Sequence, residues 1–315
     1  MSRIYVGVTD VDWFRFLRAR PKSEDEVNFW QPSGDVVKAL PRGSMWVFKL
    51  KAPISKIGGF GIFHSAFALP LSFAWDAYGT ANGRATLDDF ARSITGYRAA
   101  RAPAADRVQG ARIEVGCQML TSARFFEDHE MFDVPGGWGK SIVKGKYYDE
   151  GDVGYAEMFS RCLAIANATS LVTPSSIAAD GPRFGSPQLI VPRIGQTTFR
   201  AALVGAYQRQ CAVTQEHSLP VLEAAHIRPY AQGGTHEVAN GILLRSDIHK
   251  LFDAGYVTVD ETLRFRVSSH LRREFNNGKV YYALDGKEIE VPKDSQDRPD
   301  PDFLAHHRTQ IFKAG

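Results

Sequence analysis

The stretch "TPSSIAADGPRFGSPQLIVPR", beginning at Thr173, is dense in proline, glycine and serine and holds neither a helical nor a strand period. Proline removes a backbone donor and glycine loses the most entropy on ordering, and no apolar stripe is present to offset either cost. Such a segment cannot sit inside a core. It therefore divides the chain into residues 1–172 and residues 196–315, with residues 173–195 as the linker. The length of 315 residues agrees, since single cores rarely grow much beyond about 250 residues.

Residues 1–172 alternate short strand-like runs ("RIYVGVTD", "SMWVFKLK", "KIGGFGIFHSAF", "ARIEVGCQML") with helical patterns such as "DVDWFRFLRA", "TLDDFARSITGYRAA" and "YAEMFSRCLAIANA". Gly58, Gly59 and Gly61 predict a bulge or tight bend where the sheet curls, so a small closed or half-closed β-barrel with added helices is expected. The second region mixes helix and strand as well, which makes the fold class α+β. A net charge of +3 excludes a strongly basic body, and any nucleic acid must be held by local patches.

Cys117, Cys162 and Cys211 are odd in number and widely spaced, which fits a reducing compartment better than a disulfide framework. No basic segment with an apolar core opens the chain, and no run approaches about 18 apolar residues. The expectation is a soluble cytoplasmic protein with no membrane partner.

Residues 221–260 read "VLEAAHIRPYAQGGTHEVANGILLRSDIHKLFDAGYVTVD". Val221 to Ile227 predicts a strand, "RPYAQGGTHEVAN" a loop, and Gly241 to Arg245 a second strand. A short helix, "DIHKLFDA", follows, with Ser246 as its expected N-cap and Gly255 as its stop. His249 and Asp253 are four residues apart and share a helix face, while Ile248, Leu251 and Phe252 can turn toward a core.

A histidine ending the first strand, an asparagine opening the second and His-x-x-x-Asp on the next helix resemble the HNH endonucleases, the ββα-metal nucleases, over about residues 196–310. The resemblance implies that His226 is the general base that takes a proton from the attacking water. It implies that Asn240 braces the loop against the first strand, although an asparagine before Gly241 could equally be a simple turn residue. His249 and Asp253 would hold one divalent cation, Mg²⁺ or Mn²⁺, against the scissile phosphate. Many members place a metal ligand immediately before the catalytic histidine, where this chain has Ala225. Asp253 is the favoured replacement and Glu223 the alternative. Arg228 and Arg245 lie within plausible reach of substrate phosphates.

The first region reads "EVNFWQPSGDVVKALPRGSMWVFKLKAPISKIGGFGIF" from Glu26, and it resembles the EVE domains of the PUA superfamily over about residues 1–165. The related SRA and ASCH barrels stay open as alternatives. The superfamily implies a pocket for a single base swung out of its stack, with aromatic walls and a few polar groups for the base edge. Trp30 with Asn28, Gln31 and Ser33 offers both, Trp13, Phe48 and Trp138 are further aromatic candidates, and Trp30 and Trp138 are expected in loops.

A base reader joined to an HNH nuclease resembles the modification-dependent (type IV) restriction enzymes. That implies double-stranded DNA with modified cytosine as substrate and a possible homodimer. Two rivals stand beside it: an HNH nuclease of mobile-element or homing type reading unmodified DNA, and a catalytically decayed binder of modified nucleic acid, motivated by Ala225.

Overall fold

A computed structural model of the chain describes residues 3–21, 26–101, 113–139, 141–169 and 195–314. It separates into two compact units, Met1–Pro192 and Arg193–Gly315. The linker expected over 173–195 lies, except for Gly195, outside the described residues.

The first unit runs β1 (Arg3–Thr9), α1 (Val11–Arg18), β2 (Val27–Gln31), β3 (Met45–Leu50), β4 (Ile57–Pro70), α2 (Leu71–Tyr78), α3 (Leu87–Arg101), β5 (Glu114–Phe125), β6 (Gly145–Asp149) and α4 (Tyr155–Thr169). The six strands form one sheet in the order β2-β5-β4-β3-β1-β6. Among the described strands only β1 and β3 pair in parallel, with Ile4 opposite Met45. β3 shows why the sheet is covered on both faces. Its alternating side chains send Met45 and Val47 into a cluster with Met158 and Cys162 of α4. Trp46 and Phe48 take the other face, where Phe29 packs against both and Trp13 meets Phe48. Each of these side chains is almost fully buried, a gain of about 1.5–3 kcal/mol per large apolar group.

The expected bend falls in β4, whose register against β5 shifts between Phe60 and Ile62 and again between Phe63 and Ser65. Gly59 is needed there because a Cβ would meet the Arg124 carbonyl oxygen at 2.1 Å. The barrel is not closed: the outer strands β2 and β6 are the two ends of the hydrogen-bonded order among the described residues. Trp30 lies in β2 rather than in a loop, and its indole N–H donates to the Asn82 carbonyl at 2.8 Å. The flanking Pro32 and Gly34 mark the turn after that strand and do not reach back to residue 30.

The second unit runs α5 (Gln196–Ala206), β7 (Leu222–His226), β8 (Gly241–Arg245), α6 (Ser246–Asp253), β9 (Val257–Val259), β10 (Phe265–Val267), α7 (Ser269–Phe275), α8 (Lys279–Tyr282) and α9 (Pro301–His306). β7 and β8 pair antiparallel, with Leu222 opposite Arg245 and His226 opposite Gly241. α5 buries Phe199, Ala202 and Leu203 and packs on this pair. α6 turns Ile248 and Phe252 inward, and Leu251 is half-buried.

α6 begins at Ser246, but Arg245 is its N-cap and no side chain caps it. Arg245 has extended backbone, so the strand runs directly into the helix and places Ser246 one position too far in to cap. His307 is 1% exposed, stacks on Phe252 at 3.7 Å and bonds Thr258, a structural role.

Candidate active site

Asn240 organises the loop between β7 and β8. It is fully buried, and its Oδ1 accepts the Arg228 N–H at 2.9 Å. Its Nδ2 donates to the carbonyls of Arg228 at 3.0 Å and Thr235 at 2.8 Å. One side chain thus satisfies three backbone groups on both sides of the loop, which no backbone ladder could reach. The loop closes tightly enough that a Cβ on Gly234 would meet the Arg228 carbonyl oxygen at 2.0 Å and Asn240 Nδ2 at 2.9 Å.

This folding returns His236 to His226, the last residue of β7. His226 Nε2 lies 3.0 Å from His236 Nδ1. The His226 ring stacks on Phe199 of α5 with centroids 4.3 Å apart, and the His236 ring stacks on Tyr230 at 4.8 Å. Among the described residues the other nitrogen of His226, Nδ1, has no hydrogen-bond partner. Desolvation, followed by the charges of His236 and His249, pushes the His226 pKa down to about 4. At neutral pH it is an uncharged imidazole, the form that can accept a proton.

His249 sits between two carboxylates. Its Nδ1 lies 2.7 Å from Glu223 Oε2, and its Nε2 lies 3.3 Å from Asp253 Oδ2 one helical turn away. The side chain of Asp253 is solvent-accessible, yet its pKa is raised, first by desolvation and then by the Glu223 charge, against the opposing pull of His249. Two acidic groups around one imidazole leave an excess of negative charge that a divalent cation would relieve.

The two ring nitrogens of an imidazole point in opposite directions, so Glu223 and Asp253 cannot both join His249 around one point. In agreement, no group of three or more metal-binding side chains is assembled among the described residues. A carboxylate on one ring nitrogen and an open nitrogen beside a second carboxylate is still a donor set that fits a hard cation. It would leave most coordination positions to water and phosphate oxygens.

Of the two arginines, Arg228 turns its Nε to the Gln232 carbonyl at 2.7 Å and stays in the loop beside His226. Arg245 is committed elsewhere: its guanidinium forks onto Asp247 at 2.7 and 2.8 Å, and Asp247 also accepts the Tyr281 hydroxyl.

A pocket in the first unit is lined by Val8, Asp10, Trp13, Phe29, Trp30, Gln31, Pro32, Ser33, Lys51, Tyr97, Val143 and Lys144. It brings together Trp30, Gln31 and Ser33, with Trp13 beside them. Asn28 and Phe48 are outside it and fully buried: Asn28 Nδ2 donates to Asn82 Oδ1 at 2.8 Å, and Phe48 is packed among Trp13, Phe29 and Phe125. Trp138 is outside it too, half-buried against the core, with its N–H on the Ile142 carbonyl.

Part of the polar side of the pocket comes from Asp10, Lys51 and Tyr97, residues that sequence patterns did not single out. Lys51 Nζ donates to the Tyr97 hydroxyl at 2.8 Å, and that hydroxyl donates to Asp10. Burial alone would raise the Asp10 pKa, but hydrogen bonds from Tyr97, the Trp13 N–H and Arg84 outweigh it and hold Asp10 ionised. His236 was missed in the same way. Its only signal is a histidine inside a Gly-rich loop that already carries a candidate base at its start. Asp10, Lys51 and Tyr97 come from segments far from Trp30, Gln31 and Ser33 in the chain, and their meeting left no local signal.

No curated protein matches the chain. Among solved structures, ASCH from Zymomonas mobilis is similar at 8% identity, covering 51% of this chain and 94% of its own, with a TM-score of 0.32. A structure described as the modification-dependent TagI restriction endonuclease is similar at 12% identity, covering 91% of this chain and 75% of its own, with a TM-score of 0.29. Among the described residues no helix is long and apolar enough to cross a membrane. Residues 211–260, which contain β7, the braced loop, β8 and α6, match the HNH endonuclease family, so the second unit carries an HNH endonuclease domain.

Proposed function

We propose that the chain is a modification-dependent DNA endonuclease, in which the first unit receives a modified cytosine swung out of duplex DNA and the second hydrolyses a phosphodiester bond. The observation that carries the hydrolytic part is the neutral His226, with Nδ1 unengaged, in a unit that also gathers His249, Asp253 and Glu223. His226 takes a proton from the attacking water at Nδ1. Asn240 keeps the loop closed behind it. His249 Nε2 and Asp253 would hold Mg²⁺ or Mn²⁺, and Glu223 accepts the Nδ1–H of His249 and so fixes which nitrogen faces the ion. A bound cation supplies neutralisation of the charge that develops on the phosphate and its leaving oxygen. Arg228 contributes positive charge at the loop, and Arg245 braces the start of α6 through Asp247. One such site addresses one strand, so cutting duplex requires two copies or two successive nicks.

The ligand assignment makes a distinction that a titration can read. Asp253→Asn should raise the Mn²⁺ concentration for half-maximal cleavage by about tenfold or more, while Glu223→Gln, whose amide oxygen still accepts from His249, should shift it by only about threefold. The reverse order of effects would make Glu223 the ligand.

The recognition part rests on the pocket, where Trp13, Phe29 and Trp30 provide ring surfaces and Gln31, Ser33 and Lys51 provide polar groups for a base edge. Nicking of plasmid with modified or unmodified cytosine, with Mg²⁺ or Mn²⁺, tests the whole reading. Equal cleavage of both plasmids would favour the homing-type reading, and no cleavage under any condition would favour a decayed binder. Gln31→Ala should lower the preference for modified DNA by up to about tenfold, the worth of one hydrogen bond at about 0.5–1.5 kcal/mol. Trp30→Ala should lower it by about ten- to a hundredfold, from stacking worth about 1–3 kcal/mol. Because Trp30 is only 7% exposed, its loss should also lower the melting temperature of the first unit. Intact preference in a folded Gln31→Ala, Trp30→Ala double variant would place the base elsewhere.

A further inference from the structure

We infer that His236 is a positioning residue for the nuclease reaction: its Nδ1 accepts a hydrogen bond from Nε2–H of His226 and so holds His226 in the tautomer whose bare Nδ1 can take the proton from water. This rests on the nuclease reading of His226 and adds to it the group that sets its proton.

A neutral imidazole carries one proton on one of two nitrogens, and only the other can act as a base. Which nitrogen is bare is decided by what the opposite nitrogen bonds to. Among the described residues the hydrogen-bond partner of the His226 ring is His236 Nδ1, 3.0 Å from Nε2. Two neutral imidazoles can share that contact in two ways, with the proton on His226 Nε2 or on His236 Nδ1. Only the first leaves His226 Nδ1 bare while still giving Nε2 a purpose. His236 must then carry its own proton on Nε2.

The structure holds both rings in the required relation. Phe199 stacks on His226 at 4.3 Å and also contacts His236, with centroids 5.7 Å apart. Tyr230 stacks face to face on His236, with planes 8° apart. His236 is further fixed by its place in the loop, one residue after Thr235, whose carbonyl accepts from Asn240. The same asparagine that closes the loop therefore also sets the partner of the base.

Substitutions can separate the acceptor from the ring. His236→Phe keeps a flat ring on Tyr230 but has no nitrogen. His236→Asn loses the ring but can present its side-chain oxygen near the position of Nδ1. With modified plasmid and saturating Mn²⁺, His236→Phe should lower kcat by about ten- to a hundredfold, the usual loss when an orienting partner is removed. KM for DNA and the Mn²⁺ midpoint should stay near those of the unaltered chain. His236→Asn should recover kcat to within about threefold, an order opposite to that expected if His236 served only to pack, since asparagine is the poorer packing substitute.

A second readout does not depend on cleavage. Nitrogen-15 NMR of the imidazoles in the full chain with Mg²⁺ should show His226 protonated at Nε2 and bare at Nδ1, and His236→Phe should disturb that signature. His226 protonated at Nδ1, full activity in His236→Phe, or equal losses in the Phe and Asn variants would each overturn the inference. His226→Ala keeps the two levels apart. If it cleaves normally, the nuclease reading of His226 has failed; if it is inactive while His236→Phe is fully active, only the role of His236 has failed.

Discussion

His226→Ala should lower metal-dependent cleavage by about two to four orders of magnitude, the usual worth of a positioned general base. DNA binding by the first unit and the Mn²⁺ midpoint should be nearly unchanged, because His226 is neither in the pocket nor one of the groups proposed to hold the ion. The pH dependence is a second part of the same expectation. The His226 pKa is pushed down to about 4, so the acid limb of kcat/KM should lie well below the value of about 6.5 for an unperturbed histidine.

Stability follows the same group. Above about 6.5 both the folded and the unfolded chain hold His226 neutral, and the fold keeps its full stability from this residue. As pH falls toward 4, the unfolded chain takes up a proton that the folded one refuses, and that stability is lost. His226→Ala should therefore flatten the fall in melting temperature between these two pH values. Cleavage by His226→Ala at the rate of the unaltered chain would remove this residue from the mechanism.

Asn240→Ala should cost the second unit at least about 3 kcal/mol, and with it most of its cleavage. The substitution leaves the Arg228 N–H and the carbonyls of Arg228 and Thr235 without their partner in partly buried surroundings, at about 1–3 kcal/mol for each unsatisfied group and toward the low end where water can reach. The loss should be read as a lower denaturant midpoint for the second unit, with the transition of the first unit unmoved. Asn240→Asp is a sharper comparison, since a carboxylate can accept the Arg228 N–H but would face two carbonyls it cannot donate to. It should be at least as damaging as alanine. A stable Asn240→Ala chain that no longer cleaves would show that Asn240 acts on the substrate rather than on the loop.

Much of the second unit could be read from local pattern. The strand ending at His226, the strand over Gly241–Arg245 and the short helix after it lie where alternation, a helical stripe and a stopping Gly255 put them. His249 and Asp253 meet because four residues make about one helical turn, a relation that the sequence contains in full. Asn240 could be named as a brace or a turn residue but not chosen between them, since the choice depends on which carbonyls the loop brings within reach. In the first unit the strands and the Gly-rich bend were legible in the same way. The parallel pairing of β1 with β3 was not, because it joins segments separated by a helix and another strand.

What the sequence determined by itself is therefore everything whose cause is local: the helical and strand periods, the glycine that lets β4 bend, and the spacing of His249 and Asp253. What only the tertiary structure decided is which distant side chains converge. Glu223 reaches His249 across 26 residues, Tyr97 reaches Asp10 across 87, and His236 returns to His226 through a loop closed by one asparagine. It also decided that Asn28, Phe48 and Trp138 pack away from the pocket while Asp10, Lys51 and Tyr97 line it, and that Arg245 spends its charge on Asp247. The physical reason is the same in each case. Hydrogen-bond geometry and backbone sterics act over a few residues and leave a period in the text, whereas packing and ion pairing act through space and leave none.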